Sequence, residues 1–155
     1  MVQTTAQLIG TPVRPDEFSL DGALESGKKA SGGGSAIAVG RVVFHTHATG
    51  LWAIATAGST GRMGVVPKLV PANVDGDTSI TVATRPGAGY LVEATGAIKP
   101  GGQVIPDTGG KVKASTGAQG FAVYKGHDGE GSLGNPPTDA ASAEAVWIEL
   151  SGDVI

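Results

Sequence analysis

Three histidines, His45, His47 and His127, are the residues of this 155-residue chain with the widest chemical reach. His45 and His47 stand two apart, so on a continuing strand they point to one face, a spacing that binds a metal once a third ligand is supplied. The other cluster is His127 with Asp128 and Glu130, inside a long loop. The plainer reading of the pair is strand-end histidines at a surface or subunit contact, because two imidazoles with no placed third ligand seldom hold a metal. Symmetry offers another route, since histidines from three copies can meet on an axis.

The remaining motifs fall short at the positions their chemistry needs. Gly22 to Lys29 nearly spells a phosphate-binding loop. Lys29 stands where a Ser or Thr hydroxyl would hold magnesium, no apolar strand precedes Gly22, and Gly32 to Gly34 would interrupt the required helix, so the segment reads as a basic-tinged linker. Asn73, Asp75 and Asp77 alternate as calcium ligands do, but the closing glutamate of such a loop is missing and turn chemistry accounts for them. No Gly-x-Ser-x-Gly elbow occurs, and the absence of cysteine removes thiolate catalysis, disulfides and Cys-based zinc sites together. Trp52, Trp147 and Tyr124, among only seven aromatics, read as core or interface anchors. The expectation is a protein without catalytic residues, cofactor or metal.

The elements that would position these side chains are strands. Glycine numbers 26, without a three-residue period, and charged residues make up 16% of the chain. Such a composition means turns and loops, and glycine in a helix costs about 1 kcal/mol against alanine. The longest run free of Gly and Pro, Thr138 to Ser151, leaves no room for a long helix elsewhere. A loose repeat recurs along the chain. Gly40-Arg41-Val42-Val43, Ala55-Thr56-Ala57-Gly58 and Gly64-Val65-Val66 return in type as Gly102-Gln103-Val104-Ile105, Ala114-Ser115-Thr116-Gly117 and Gly120-Phe121-Ala122-Val123. Each copy reads as strand, turn, strand, Gly-rich turn, strand. Nine short strands are expected, one in the apolar run from Ile37 to Phe44 and the others over 51–57, 64–68, 79–84, 90–94, 103–105, 111–113, 121–125 and 145–150. That is the pattern of an all-β barrel or sandwich.

Residues 1–35 carry few apolar groups and read as an extended N-terminal arm, followed by a single β domain over 36–155. The domain carries a Gly/Pro-rich loop insertion over 126–144, in which Asp139 to Glu144 could form one helical turn. The net charge of −3 and the scattering of the eleven Lys and Arg argue against nucleic acid as a partner. No apolar run approaches the ~20 residues of a membrane span, and the N-terminus lacks the charged and apolar regions of a signal peptide, so synthesis in a cytoplasm is expected.

The stretch Ala97-Ile98-Lys99-Pro100-Gly101-Gly102-Gln103-Val104-Ile105, with Gly110-Lys111-Val112-Lys113 and Gly120-Phe121-Ala122-Val123 after it, resembles the capsid decoration or cement proteins of tailed phages. Ala38 to Val43, Gly64 to Val66 and the closing strand Val146 to Leu150 extend the resemblance over about 35–125 and the last strand. The Ile-Lys-x-Gly-x-x-Val element also occurs in β-clip modules of other proteins. The resemblance implies a small β-barrel of β-tulip or β-clip type on the outer surface of an icosahedral phage head. It would be a homotrimer, clamping neighbouring major capsid subunits. The self or capsid contacts it suggests here are Val13, Phe18, Leu20, His45, His47, Tyr124 and Trp147. The alternatives are a metal- or ligand-binding β-clip module or enzyme using His45, His47 and His127, and another virion part such as a head-fibre or tail protein.

Overall fold

In the computed structural model, the residues described are 3–4, 24–30, 35–72, 78–87, 89–117, 119–131 and 134–151. Eleven strands and one 3-10 turn make up the regular structure among them, and no α-helix occurs. The strands are β1 (Gln3–Thr4), β2 (Leu24–Lys29), β3 (Val42–Thr46), β4 (Leu51–Ile54), β5 (Met63–Val65), β6 (Ser79–Ala83), β7 (Gly89–Glu93), β8 (Gln103–Asp107), β9 (Lys111–Ala114), β10 (Ala122–Gly126) and β11 (Glu144–Leu150). The all-β architecture read from composition and period is therefore what the chain adopts. All nine expected strands are present, although Ile37 contributes only an isolated bridge to Val70 and the strand proper begins at Val42.

Strands β2-β4-β3-β5-β6 form a closed barrel. Within it β2 runs parallel to β4 and every other pairing is antiparallel. The second sheet repeats this plan. Its strands follow the order β7-β11-β10-β8-β9, and a parallel bridge from Ala94 to Val112 joins its two ends. Strand for strand, β2 through β6 correspond to β7 through β11, and the hydrogen bonds agree. Ala30 N–H donates to Trp52 O as Thr95 N–H donates to Val112 O, and Ile37 exchanges both bonds with Val70 as Ile98 does with Ala140. The molecule is a closed five-stranded barrel followed by a sheet of the same topology, which the Ala94–Val112 bridge closes into a second barrel and to which β1 adds a sixth strand on β11.

The register of this duplication differs by one or two residues from the sequence alignment. Gly40 N–H donates to Val66 O and Gly101 N–H to Tyr124 O, so Gly40 corresponds to Gly101 rather than Gly102. Both glycines have φ near +80°, 78° and 80°, a conformation costly for a side chain, and each turns the chain into the first strand of its hairpin. Val43 therefore matches Val104, and Gly64 matches Ala122, since these pairs face each other in β3–β5 and β8–β10. Glycines that recur nearly but not quite in step cannot be aligned by type alone.

The interior of the first barrel holds Ile37, Val43, Trp52, Val66, Val70, Ile80 and Val82. Their counterparts Ile98, Val104, Val112, Tyr124, Ala140, Val146 and Ile148 fill the second. The second cluster also takes in Val42, Ala55, Met63 and Val65 from the first barrel, so the outer face of one barrel is continuous with the core of the other. At about 1.5 to 3 kcal/mol per large apolar side chain, this contact joins the barrels firmly. Glu93 adds a polar tie, taking Arg41 from the first barrel at 2.9 Å and Lys111 from the second at 2.7 Å.

Two expectations about loops differ from the structure. Leu24–Lys29, placed in the arm by its polar composition, is a barrel strand paired along its whole length with β6. Its alternating exposed and half-buried residues reflect a strand whose inner side needs little bulk, because Trp52 already fills the space that a side chain at Gly27 would take. Gln3–Thr4 pairs with Ala145 and Glu144 of β11, and the rest of the expected arm lies outside the described residues. Asp139 to Glu144 is not a helical turn: Ala140 bridges to Ile98, and Ala143, with φ 66°, makes a tight turn into β11.

Candidate functional site

The densest group of titratable side chains among the described residues stands where the 126–144 loop leaves and rejoins the second barrel. Strand β10 delivers Tyr124 and ends at Gly126, and the chain then places His127, at 1% exposure, against that barrel. His127 Nδ1 lies 2.7 Å from Glu130 Oε1 and Nε2 lies 2.7 Å from Glu144 Oε2. The backbone N–H of His127 donates to Glu130 Oε1 at 2.6 Å, and the Thr138 hydroxyl donates to Glu130 Oε2 at 2.7 Å. Ala141 N–H donates to Glu144 Oε2 at 2.8 Å, and the Tyr124 hydroxyl donates to the Thr138 carbonyl at 2.8 Å.

The electrostatics follow from these bonds. Burial works to raise the pKa of Glu130, but the backbone N–H of His127, the Thr138 hydroxyl and the His127 ring together outweigh it and hold the carboxyl down to about 2. Glu144 is lowered in the same way, burial being overcome by the His127 ring and the Ala141 N–H. Each ring nitrogen of His127 faces one carboxylate, so the ring is held at both edges. Burial, then the charges of Glu130, Glu144 and Asp139, drives the Tyr124 phenol upward, which keeps it a neutral donor. The arrangement is a closed clamp between the start of the loop, its middle and the first residue of β11. Both ring nitrogens of His127, both Glu130 oxygens and the Tyr124 and Thr138 hydroxyls already face partners, so its chemistry is to fix the backbone.

The first barrel carries a smaller and more exposed group. Trp52 receives the edge of His45 at a centroid separation of 5.1 Å and the guanidinium of Arg62 at 5.8 Å. Arg62 also grips Glu25 with both of its terminal nitrogens, Nη1 at 2.8 Å from Oε1. A cation over an indole face in such an exposed position contributes about 0.5 to 1 kcal/mol.

The structure thus distributes the residues singled out from the sequence. His45 is half-buried on β3 beside Trp52, and His47 is exposed just past that strand. His127 is held by partners from the second barrel, so the three histidines have separate surroundings, and among the described residues no group of three His, Cys, Asp or Glu is placed to hold a metal ion. Tyr124 is fully buried, and Trp147, at 6% exposure, lies against Gly89. Val13, Phe18 and Leu20 lie outside the described residues, as do Asn73, Asp75 and Asp77. Of the near-match to a phosphate loop, Leu24–Lys29 is the extended strand β2 and not a linker, while Gly22 and Ala23 lie outside the described residues. Sequence reading missed the partnership of Glu144 and Thr138 with His127. The Glu130 contact, three residues along, was the one legible part, because only folding brings β11 back to the loop.

No protein family matches this chain, and no curated protein is similar to it. Among solved structures, the crystal structure of head fiber gp8.5 N base in bacteriophage phi29 is similar at 15% identity and a TM-score of 0.46, covering 83% of this chain and 94% of that one.

Proposed function

We propose that this chain is a structural virion protein that decorates the outer surface of an icosahedral phage head, self-associates as a homotrimer and stabilises the shell by binding major capsid subunits. The observation that carries this reading is the closed clamp around His127, which spends the densest set of charged side chains on rigidity. Two barrels sharing one apolar contact add to it, since a stiff body loses little conformational entropy on docking. The phage assignment rests on the residue resemblance over Ala97 to Ile105 and the hairpins that follow. In the structure those residues are the approach to β8 and the β8–β9 hairpin of the second barrel. Repeated modest contacts across a symmetric lattice add up through effective concentration.

The test is co-expression with the major capsid protein of the same genome, followed by gradient sedimentation and electron microscopy of the particles. Decoration predicts that the protein migrates with heads and occupies sites all over the lattice, with three copies per site. Protein left at the top of the gradient overturns the proposal, and occupancy limited to a few positions per head moves the reading to a fibre or tail part.

A further inference from the structure

The two barrels differ at one interior position in a way their common architecture does not require. Lys29 and Ala94 are equivalent: Lys29 N–H donates to Thr78 O as Ala94 N–H donates to Glu144 O, and the following residue of each bonds across to β4 or β9. The second barrel closes here with a buried methyl group. The first places an ammonium there, only 4% exposed, beside a cavity of about 200 Å³ lined mainly by apolar atoms of Ala30, Ala36, Ile37, Ala53 and Ile54.

Lys29 Nζ donates to the carbonyl of Ser35 and, at 3.4 Å, to that of Pro71. An ammonium has three N–H donors, so among the described residues one is left over and no carboxylate pairs with this charge. A buried charge held only by neutral carbonyls keeps much of its desolvation cost, which an anion entering the cavity would offset. Ile54 and Ala53 from β4 also line the cavity, which suits an apolar body.

We infer that this cavity is a binding site for a small monocarboxylate with a compact apolar body, its carboxylate on Lys29 Nζ and its hydrocarbon against Ile37 and Ile54. A cavity of ~150 Å³ accommodates benzene, so about 200 Å³ admits an aromatic ring carrying a carboxylate. The site owes nothing to the virion reading and stands or falls separately from it.

The experiment uses the full chain and two probes of one shape, benzoate and the neutral benzamide, followed by amide chemical shifts in two-dimensional NMR. Benzoate should move the amides of Ala30, Ala53 and Ile54 saturably, and benzamide should bind at least about tenfold more weakly, the worth of a charge-assisted hydrogen bond. Lys29→Met should abolish the preference for benzoate. Equal binding of the two probes by the wild-type protein, no saturable shift at these amides, or a Lys29→Met variant that still prefers benzoate overturns the proposal. If Lys29 only staples two loops together, Lys29→Met lowers the melting temperature while the wild-type protein treats both probes alike, so the wild-type comparison decides even where the variant does not fold.

Discussion

Glu130 concentrates the electrostatics of the His127 clamp, accepting from the His127 backbone, the His127 ring and the Thr138 hydroxyl at once. Replacing it by Gln turns one of two accepting oxygens into an amide donor among the buried donors of His127 and Thr138, and Glu130→Gln should cost about 3 kcal/mol in denaturant unfolding at pH 7. Its folded pKa of about 2 lies below the ordinary carboxylate value, so its contribution is full above pH ~4.5 and is lost as the pH falls toward 2. The stability gap between wild type and Glu130→Gln should therefore close over that window, and a gap that persists unchanged at pH 2 refutes the assignment. Tyr90 makes the opposite prediction. Its hydroxyl is buried with no hydrogen-bond partner among the described residues, and burial raises its pKa. Tyr90→Phe removes an unsatisfied polar atom at no loss of packing, so it should leave stability unchanged or raise it by about 1 kcal/mol in the same assay.

Strand β2 decides how much of the N-terminus the fold can lose. It lies between β6 and β4 and closes the first barrel, and it carries Gly27 against the ring of Trp52. Truncation before Leu24 keeps this strand, whereas removal of residues 1–30 opens the barrel around Trp52. The longer deletion should abolish the near-ultraviolet dichroism of the tryptophans and the cooperative melt, while a deletion of 1–22 keeps both. Strand β5 has a comparable sensitivity at Gly64, where an added Cβ would meet Val82 and lie 2.6 Å from the carbonyl oxygen of Ala83. Gly64→Ala forces β5 away from β6 and should destabilise by about 2 kcal/mol, read from the denaturation midpoint.

The tandem barrels predict how the whole molecule unfolds. Val42, Met63 and Val65 lie on the first barrel yet belong to the cluster that fills the second, so neither barrel can melt without exposing the other. Calorimetry should give one transition whose calorimetric and van't Hoff enthalpies agree. The second half expressed alone, from residue 85 onward, should fail to give a cooperative melt, because the face covered by the first barrel would be left open to water. Two resolved transitions in the intact chain would mean that the shared cluster contributes little.

Composition and period two determined the class of this protein: 26 glycines with alternating β-branched residues leave strands and tight turns as the only economical backbone, and nine strands were legible on that ground. The repeat was legible in kind, because duplicated hairpins keep their glycine turns, while its register was decided only by hydrogen bonds such as Gly40 to Val66 and Gly101 to Tyr124. Tertiary structure alone turned the polar segment 24–29 into a barrel strand, since Trp52 and β6 supply the burial its own residues lack. It alone joined His127 to Glu144, seventeen residues away along the chain, and placed a lysine where the sister barrel holds an alanine. Local pattern records what each short segment can become, and the pairing of distant strands selects which charges meet.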